Sequence, residues 1–231
     1  MSIDHTRHAG IFDASSIPVV LIGAGGIGAI TAITLAKMGV PHLTIIDCDT
    51  VNEVNLATQF HRVSDVGLPK AEALSSAVKS YAGDIRVITL NERLTADTPY
   101  YFEHAWLYIS AVDSIASRKG IWEYLNKLDI KRQEGNLLMN PWYLDARMGA
   151  EVYEHYIVNL GRTGWYEHAL ARQEDDDFPD LPCTSKATIY TADIAAGHIG
   201  AAVRRIATLS QKPGFLKHDI IEDQLSFLDI G

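Results

Sequence analysis

The stretch that most limits what this chain can fold into is Val19-Val20-Leu21-Ile22, an apolar run closed by Gly23-x-Gly25-x-x-Gly28. A second apolar run, Leu43-Thr44-Ile45-Ile46, ends in Asp47, nineteen residues after Gly28. Between them Ala29 to Met38 reads as a helix with Gly39 just past its end. The unit is strand, turn, helix, strand. Its glycines let backbone N–H groups approach a phosphate at the positive end of the helix, and the acid can accept from a ribose hydroxyl. Glycine-rich turns also serve merely to pack a helix on a strand. The spaced acid beside strand and helix favours nucleotide binding over that plainer alternative.

The rest of the chain continues the alternation. Gly67-Leu68-Pro69-Lys70 opens a helix to about Tyr81, with Ala71, Leu74, Ala77 and Val78 on one face. Ile85 to Leu90 and Trp106 to Val112 read as strands, the latter ending at Asp113, and Ser114 to Lys127 as a helix. The pattern then changes. Trp142 to Ala146 and Glu151 to Val158 are β-rich and joined by Arg147-Met148-Gly149-Ala150, which predicts an antiparallel pair. Gly161 to Arg172 reads as a short helix, about 173–185 as an exposed loop, Lys186 to Leu209 as a long helix, and Asp219 to Ile230 as a strand-like tail. The fold class is therefore α/β and Rossmann-like: a mostly parallel sheet with helices on both faces, plus antiparallel C-terminal strands. One domain over 1–231 is expected, with 1–16 as an irregular lead-in.

Composition narrows the function. The net charge of -9 argues against a nucleic-acid backbone as main partner, because phosphate binding needs a basic surface. No apolar run approaches the roughly 20 residues of a membrane span, and the polar start carries no signal-type apolar core. The two cysteines, Cys48 and Cys183, cannot build a disulfide framework or a four-cysteine zinc site, so the cytoplasm is the expected location.

A dehydrogenase would be the usual inference from the glycine pattern alone, but the next stretch points elsewhere. Asp47-Cys48-Asp49-Thr50-Val51-Asn52-Glu53-Val54-Asn55-Leu56-Ala57-Thr58-Gln59 resembles the D-x-D-x-V-x-x-x-N-L-x-R-Q signature of the ThiF/MoeB/ubiquitin-activating superfamily. Gly67-x-x-Lys70-Ala71-Glu72-Ala73, then Ala111-Val112-Asp113-Ser114 with Arg118, and Cys183 before a small-residue helix follow in that family's order. The resemblance implies binding of ATP and Mg²⁺ and adenylation of a carboxylate, typically the C-terminal glycine of a ubiquitin-like or sulfur-carrier protein. It also implies a homodimer.

The chemistry agrees with the residues. Adenylation joins two anions and expels pyrophosphate, so it needs positioning and charge neutralisation more than covalent help. Gly23, Gly25, Gly26 and Gly28 frame backbone donors, Asp47 is a candidate for the ribose, and Lys70 for a phosphate. Asp113, at a strand's carboxyl end, is a candidate Mg²⁺ ligand. Asn55 and Gln59 could donate to phosphate oxygens or equally cap turns, and Asp49 is close enough in sequence to share the site.

Two departures bear on activity. Thr58 stands where the family signature has arginine; Arg62, Arg7 (reaching across a dimer) and Arg147 are the candidate replacements. Paired C-x-x-C zinc motifs are absent. Cys183, at the start of a predicted helix, suits a nucleophile for an acyl-adenylate as well as it suits a buried structural role. Cys48, between two acids, reads as packing. The nine histidines show no ligand spacing and read as surface or satisfied core residues. Two competing functions stand beside adenylation. A nucleotide-binding scaffold without catalysis would explain Thr58, and an NAD-dependent oxidoreductase would explain the glycine pattern but not Asn55, Gln59, Lys70 or Asp113.

Overall fold

The first strand shows why the sheet is covered on both sides. All of β1 (Val19–Ile22) is buried, Val19 and Leu21 in one apolar cluster and Val20 and Ile22 in a second. Successive strand residues point to opposite faces, so a strand with no polar position needs a cover on each. The computed structural model, which describes residues 3–99, 104–134, 140–161, 164–173 and 187–230, supplies those covers. In chain order the elements are β1, α1 (Gly26–Met38), β2 (His42–Ile46), α2 (Lys70–Ala82), β3 (Arg86–Leu90), β4 (Leu107–Ser110), α3 (Ile115–Glu134), β5 (Trp142–Gly149), β6 (Val152–Asn159), α4 (Gly164–Ala171), α5 (Ile189–Ala207), β7 (Gly214–Asp219) and β8 (Gln224–Asp229). Ala32 and Leu35 of α1, Leu74 and Val78 of α2, and Ile199 and Val203 of α5 share the cluster of Leu21. Leu125 and Leu128 of α3 and Tyr166 and Leu170 of α4 share that of Val20.

The strands form one sheet in the order β3-β2-β1-β4-β5-β6-β7-β8. From β3 to β5 neighbours are parallel, and from β5 to β8 antiparallel. This is the expected mixed sheet. Several boundaries differ from the sequence reading, and α3 runs to Glu134 rather than to Lys127. Helix α1 begins at Gly26, three residues earlier than expected, because its glycines enter the first turn. Strand β5 continues through Arg147 to Gly149, and the hairpin turns at Ala150, which adopts φ 52°. The tail is a hairpin rather than one strand: Asp219 closes β7 and its Oδ1 accepts from Glu222 N at 3.3 Å across the turn into β8. Among the described residues no helix is long and apolar enough to cross a membrane.

The lead-in segment packs at the foot of α1. The His5 ring lies 3.3 Å from where a Cβ would stand on Gly39, the left-handed C-cap of that helix. Thirteen residues of helix at about 1.5 Å each put this contact about 20 Å from the glycine turn.

Under α5 lies a chain of aromatic and imidazole groups. His155 of β6, fully buried, shares a 2.9 Å hydrogen bond through Nδ1 with the Tyr153 hydroxyl. The Tyr153 ring stacks on His198 of α5, whose Nε2 is 3.1 Å from Nδ1 of His218 on β7. Burial, then the neighbouring His198 and Arg205, push His155 down from 6.5 to about 3. The fold therefore holds His155 neutral while the unfolded chain takes up a proton near 6.5. Its stability contribution is complete above that pH and is lost as pH falls toward 3. By pH 5 the loss from this one group is about 2 kcal/mol. Urea unfolding of His155→Gln at pH 7 and pH 5 should change by about 2 kcal/mol less than that of the wild type. Equal changes in the two proteins would mean that His155 protonates freely inside the fold.

Candidate active site

The chain leaves β1 toward β2 and β3 on one side, and returns past β1 to β4 on the other. Such a reversal opens a crevice at the carboxyl ends of β1 and β4, where open α/β sheets take ligands. The glycine turn fills its floor. A Cβ on Gly28 would stand 1.9 Å from the Gly23 carbonyl oxygen, and one on Gly23 would stand 2.6 Å from that of Ala111. Gly23 also has φ 103°, a left-handed conformation that favours glycine. The turn thus runs pressed against both strands and delivers the amino-terminal end of α1 to the crevice.

Around the turn stand the residues that the sequence singled out. Asp47 accepts from Ala24 N at 2.6 Å through Oδ2 and from Asp49 N at 2.7 Å through Oδ1. It therefore braces the turn in addition to being available to a ribose. Gln59 Nε2 is 3.8 Å from the Cβ position of Gly25, and its Oε1 is buried without a hydrogen-bond partner. Residue 58, the arginine position of the family signature, lies directly on the turn: Thr58 O is 3.1 Å from the Cβ position of Gly26. Met148 at the end of β5 and Ala192 of α5 close the same side.

Lys70 is buried at the first turn of α2, with Nζ 3.1 Å from Asp49 Oδ2 and N 2.9 Å from Asp49 O. Asn55 Oδ1 accepts from Asn52 N at 2.9 Å and caps a short 3-10 turn at Glu53–Asn55, the turn-capping alternative of the sequence reading. Asp113 is exposed just past β4. Among the described residues no group of three or more His, Cys, Asp or Glu side chains could hold a metal. A Mg²⁺ ion held by Asp113 alone would need phosphate and water for its other ligands, as that ion commonly has.

The three candidate arginines fare differently. Arg62 is drawn to Asp65, at 2.9 Å from Nη2 to Oδ1, and to Ser76 Oγ at 3.0 Å. Arg7 belongs to the lead-in segment, at the opposite end of α1 from its own glycine turn. Arg147 is buried, with Nη2 2.6 Å from Asp145 Oδ2 and Nη1 2.6 Å from Gln173 Oε1, its guanidinium 4.5 Å above the Tyr156 ring. Cys183, the loop from Glu174 to Pro182 and the expected helix start at Lys186 lie outside the described residues. Cys48 is exposed at the end of β2 and its Sγ is 3.9 Å from Arg93 Nη2, so it is not the packing residue expected.

Beside Asp113 sits an ion network that the sequence did not announce. Fully buried Asp145 receives Arg118 Nη1 on one oxygen, and Arg147 together with the Tyr166 hydroxyl, at 2.8 Å, on the other. Arg118 also donates to the carbonyl oxygens of Val112 and Ala146, tying the turn that carries Asp113 to β5. Glu154, 3.7 Å from Arg147, is pushed up by burial. Tyr143 is fully buried and Trp142 packs, partly buried, against the apolar core.

The sequence profile of the ThiF family matches residues 2–230, the signature residues being those gathered at the crevice. The chain belongs to the ThiF family. Its relatives within and around that family are partial matches. Over 112 residues it is 30% identical to the tRNA threonylcarbamoyladenosine dehydratase of Escherichia coli, covering 47% of this chain and 42% of that protein. Over 102 residues it is 37% identical to the probable adenylyltransferase/sulfurtransferase MoeZ of Mycobacterium tuberculosis, covering 43% and 26%. The chain spans less than half the length of these curated relatives. The crystal structure of E. coli MccB with ATP superposes with a TM-score of 0.66 at 17% identity over 95% of this chain and 65% of that one, a likeness of fold.

The Asp145 network gives a direct test of the site's scaffolding. Removing the negative charge between two buried guanidinium groups leaves Arg118 without a carboxylate and Arg147 with only Glu154 at 3.7 Å, a change that costs about 3–5 kcal/mol. Asp145→Asn should lose that much in chemical denaturation; a loss below about 1 kcal/mol would show that water reaches the network.

Proposed function

We propose that this ThiF-family protein adenylates a carboxylate with ATP in a Mg²⁺-dependent reaction, and that the carboxylate is the C-terminal glycine of a small ubiquitin-like or sulfur-carrier protein. The observation that carries the reading is the convergence, at one switch point, of the glycine turn, Asp47, Gln59, Lys70 and Asp113, residues up to ninety positions apart in the chain. Relatives named adenylyltransferase and a fold neighbour crystallised with ATP support it.

In this reading the N–H groups at the start of α1 receive a phosphate, and Asp47 meets the ribose with the lone pairs its two backbone bonds leave over. Lys70 exchanges Asp49 for a phosphate oxygen; its buried stem leaves little freedom to do anything else. Asp113 would hold Mg²⁺, which would supply charge neutralisation at the phosphates. Gln59 offers its Nε2, 3.8 Å from the Cβ position of Gly25, as a donor to the same phosphates. Cys183 stands as the acceptor thiol for a later transfer.

Thr58 removes a cation from the turn, and Arg62 and Arg147 already have carboxylate partners. Arg7 is the replacement we favour, supplied by a second copy, because its segment lies about 20 Å from the turn of its own chain. Should no arginine arrive, the second reading follows: a scaffold that binds nucleotide and partner without turnover, which Thr58 favours.

Pyrophosphate–ATP exchange with glycine-ended carrier proteins tests the proposal. Exchange is expected only with a free carrier carboxylate and Mg²⁺, and Asp113→Ala should reduce it at least a hundredfold. ATP binding without exchange for any carrier would leave the scaffold; binding of NAD in place of ATP would defeat both readings. Mixing Arg7→Ala with Lys70→Gln should restore exchange that neither variant shows alone, because a mixed dimer has one intact site. No restoration would remove Arg7 from the site.

A further inference from the structure

Ala24, at the centre of the glycine turn, is gripped from both sides. Its N–H donates to Asp47 Oδ2 at 2.6 Å, and its carbonyl oxygen lies 2.9 Å from Nε2 of His61. A carbonyl oxygen only accepts, so Nε2 carries the hydrogen and His61 is held in one tautomer. The other nitrogen, Nδ1, is buried with no hydrogen-bond partner among the described residues, and the residue is 9% exposed. This is not how a core histidine that merely fills space is satisfied, and it is not the surface or satisfied residue that the sequence suggested.

The consequence concerns the peptide between Ala24 and Gly25. In a trans peptide the C=O and N–H point to opposite sides. Pinning Ala24 O on His61 therefore turns the Gly25 N–H to the side away from the imidazole. Gly23, Gly25 and Gly26 surround this unit, and glycine backbone offers little resistance to rotation. Asp47 fixes the peptide before Ala24, and only His61 is seen to fix the one after it.

We propose that His61 is a positioning residue of the nucleotide turn: as a neutral imidazole it sets the Ala24–Gly25 peptide so that the Gly25 N–H is presented to a phosphate. The inference rests on the nucleotide reading given above. The groups that face the imidazole are Lys70 of α2, Asp65 and Asp47. Burial has the largest effect and, with Lys70, outweighs the hydrogen bond to Ala24 O and the two carboxylates, so the ring is held below the usual histidine value. A proton on Nδ1 would be a buried donor without an acceptor next to a lysine.

Two substitutions separate positioning from packing. His61→Gln can place an amide N–H near Nε2, whereas His61→Leu fills the space and offers no donor. Calorimetry with Mg²⁺-ATP should find His61→Gln within about threefold of the wild type and His61→Leu weakened at least tenfold. In the nucleotide-free protein, ¹⁵N relaxation should show the Gly25 amide broadened by exchange in His61→Leu and sharp in His61→Gln. The wild-type imidazole should show a protonated Nε2 and a bare Nδ1 at pH 7. Equal affinity loss in both variants, wild-type affinity in His61→Leu, or a proton on Nδ1 would overturn the proposal. If the wild type binds no ATP while Gly25 still broadens in His61→Leu alone, the positioning role stands and the adenylation reading fails.

Discussion

The crevice exists because Gly28 and Gly23 touch. No side chain fits between a Cβ position and a carbonyl oxygen 1.9 Å apart, so α1 can start here only on glycine, pressed against β1 with Gly23 against the end of β4. That contact aims the unpaired N–H groups of the first helical turn at the carboxyl edge of the sheet, where they and the helix dipole favour an anion. The remainder of the structure holds the helix in this pose. α1 is buried along most of its length, sharing one apolar cluster with α2 and α5, and its far end is closed by Gly39 with the lead-in segment beneath it.

Electrostatics at this edge runs against the composition. A chain with a net charge of -9 gathers Lys70, Arg118 and Arg147 near one crevice, and each has an acidic partner there. The pairs differ in what they can do. Asp49 keeps most of its side chain in water, so a phosphate can displace it from Lys70 at small cost. Asp145 is fully buried between two arginines and cannot be displaced without stranding them. The first pair suits ligand exchange. The second suits rigidity, which Arg118 passes to the turn bearing Asp113 through the Val112 carbonyl.

Much of this was legible in the sequence, for identifiable reasons. Glycine spacing, apolar runs and a terminal acid encode the β1–α1–β2 unit locally, and Lys70 and Asp113 sit at element ends where backbone direction decides their place. His61 and Asp145 were not legible. Ala24 lies 37 residues from His61, and Arg118 and Tyr166 lie 27 and 21 from Asp145, with only Arg147 close by in the chain; a lone histidine or aspartate in sequence looks the same whether buried or solvated. His198 and His218, twenty residues apart, met across α5 and β7 for the same reason. Strand β7 was missed because Gly214 to Asp219 is short and mixes lysine and histidine with its apolar positions, and because pairing with β6 and β8 makes it a strand. Cys48 was misjudged since its exposure depends on the loop that follows it rather than on its strand.

We propose that the glycine turn, braced by Asp47 and His61, receives a nucleoside triphosphate. Backbone amide NMR during titration with Mg²⁺-ATP is the sharpest test. The largest shifts are expected on Gly25, Gly26 and Ile27, followed by Asp47, Lys70 and Asp113, with β7 and β8 unmoved. Shifts confined elsewhere, or the same turn responding to NAD and not to ATP, would contradict it.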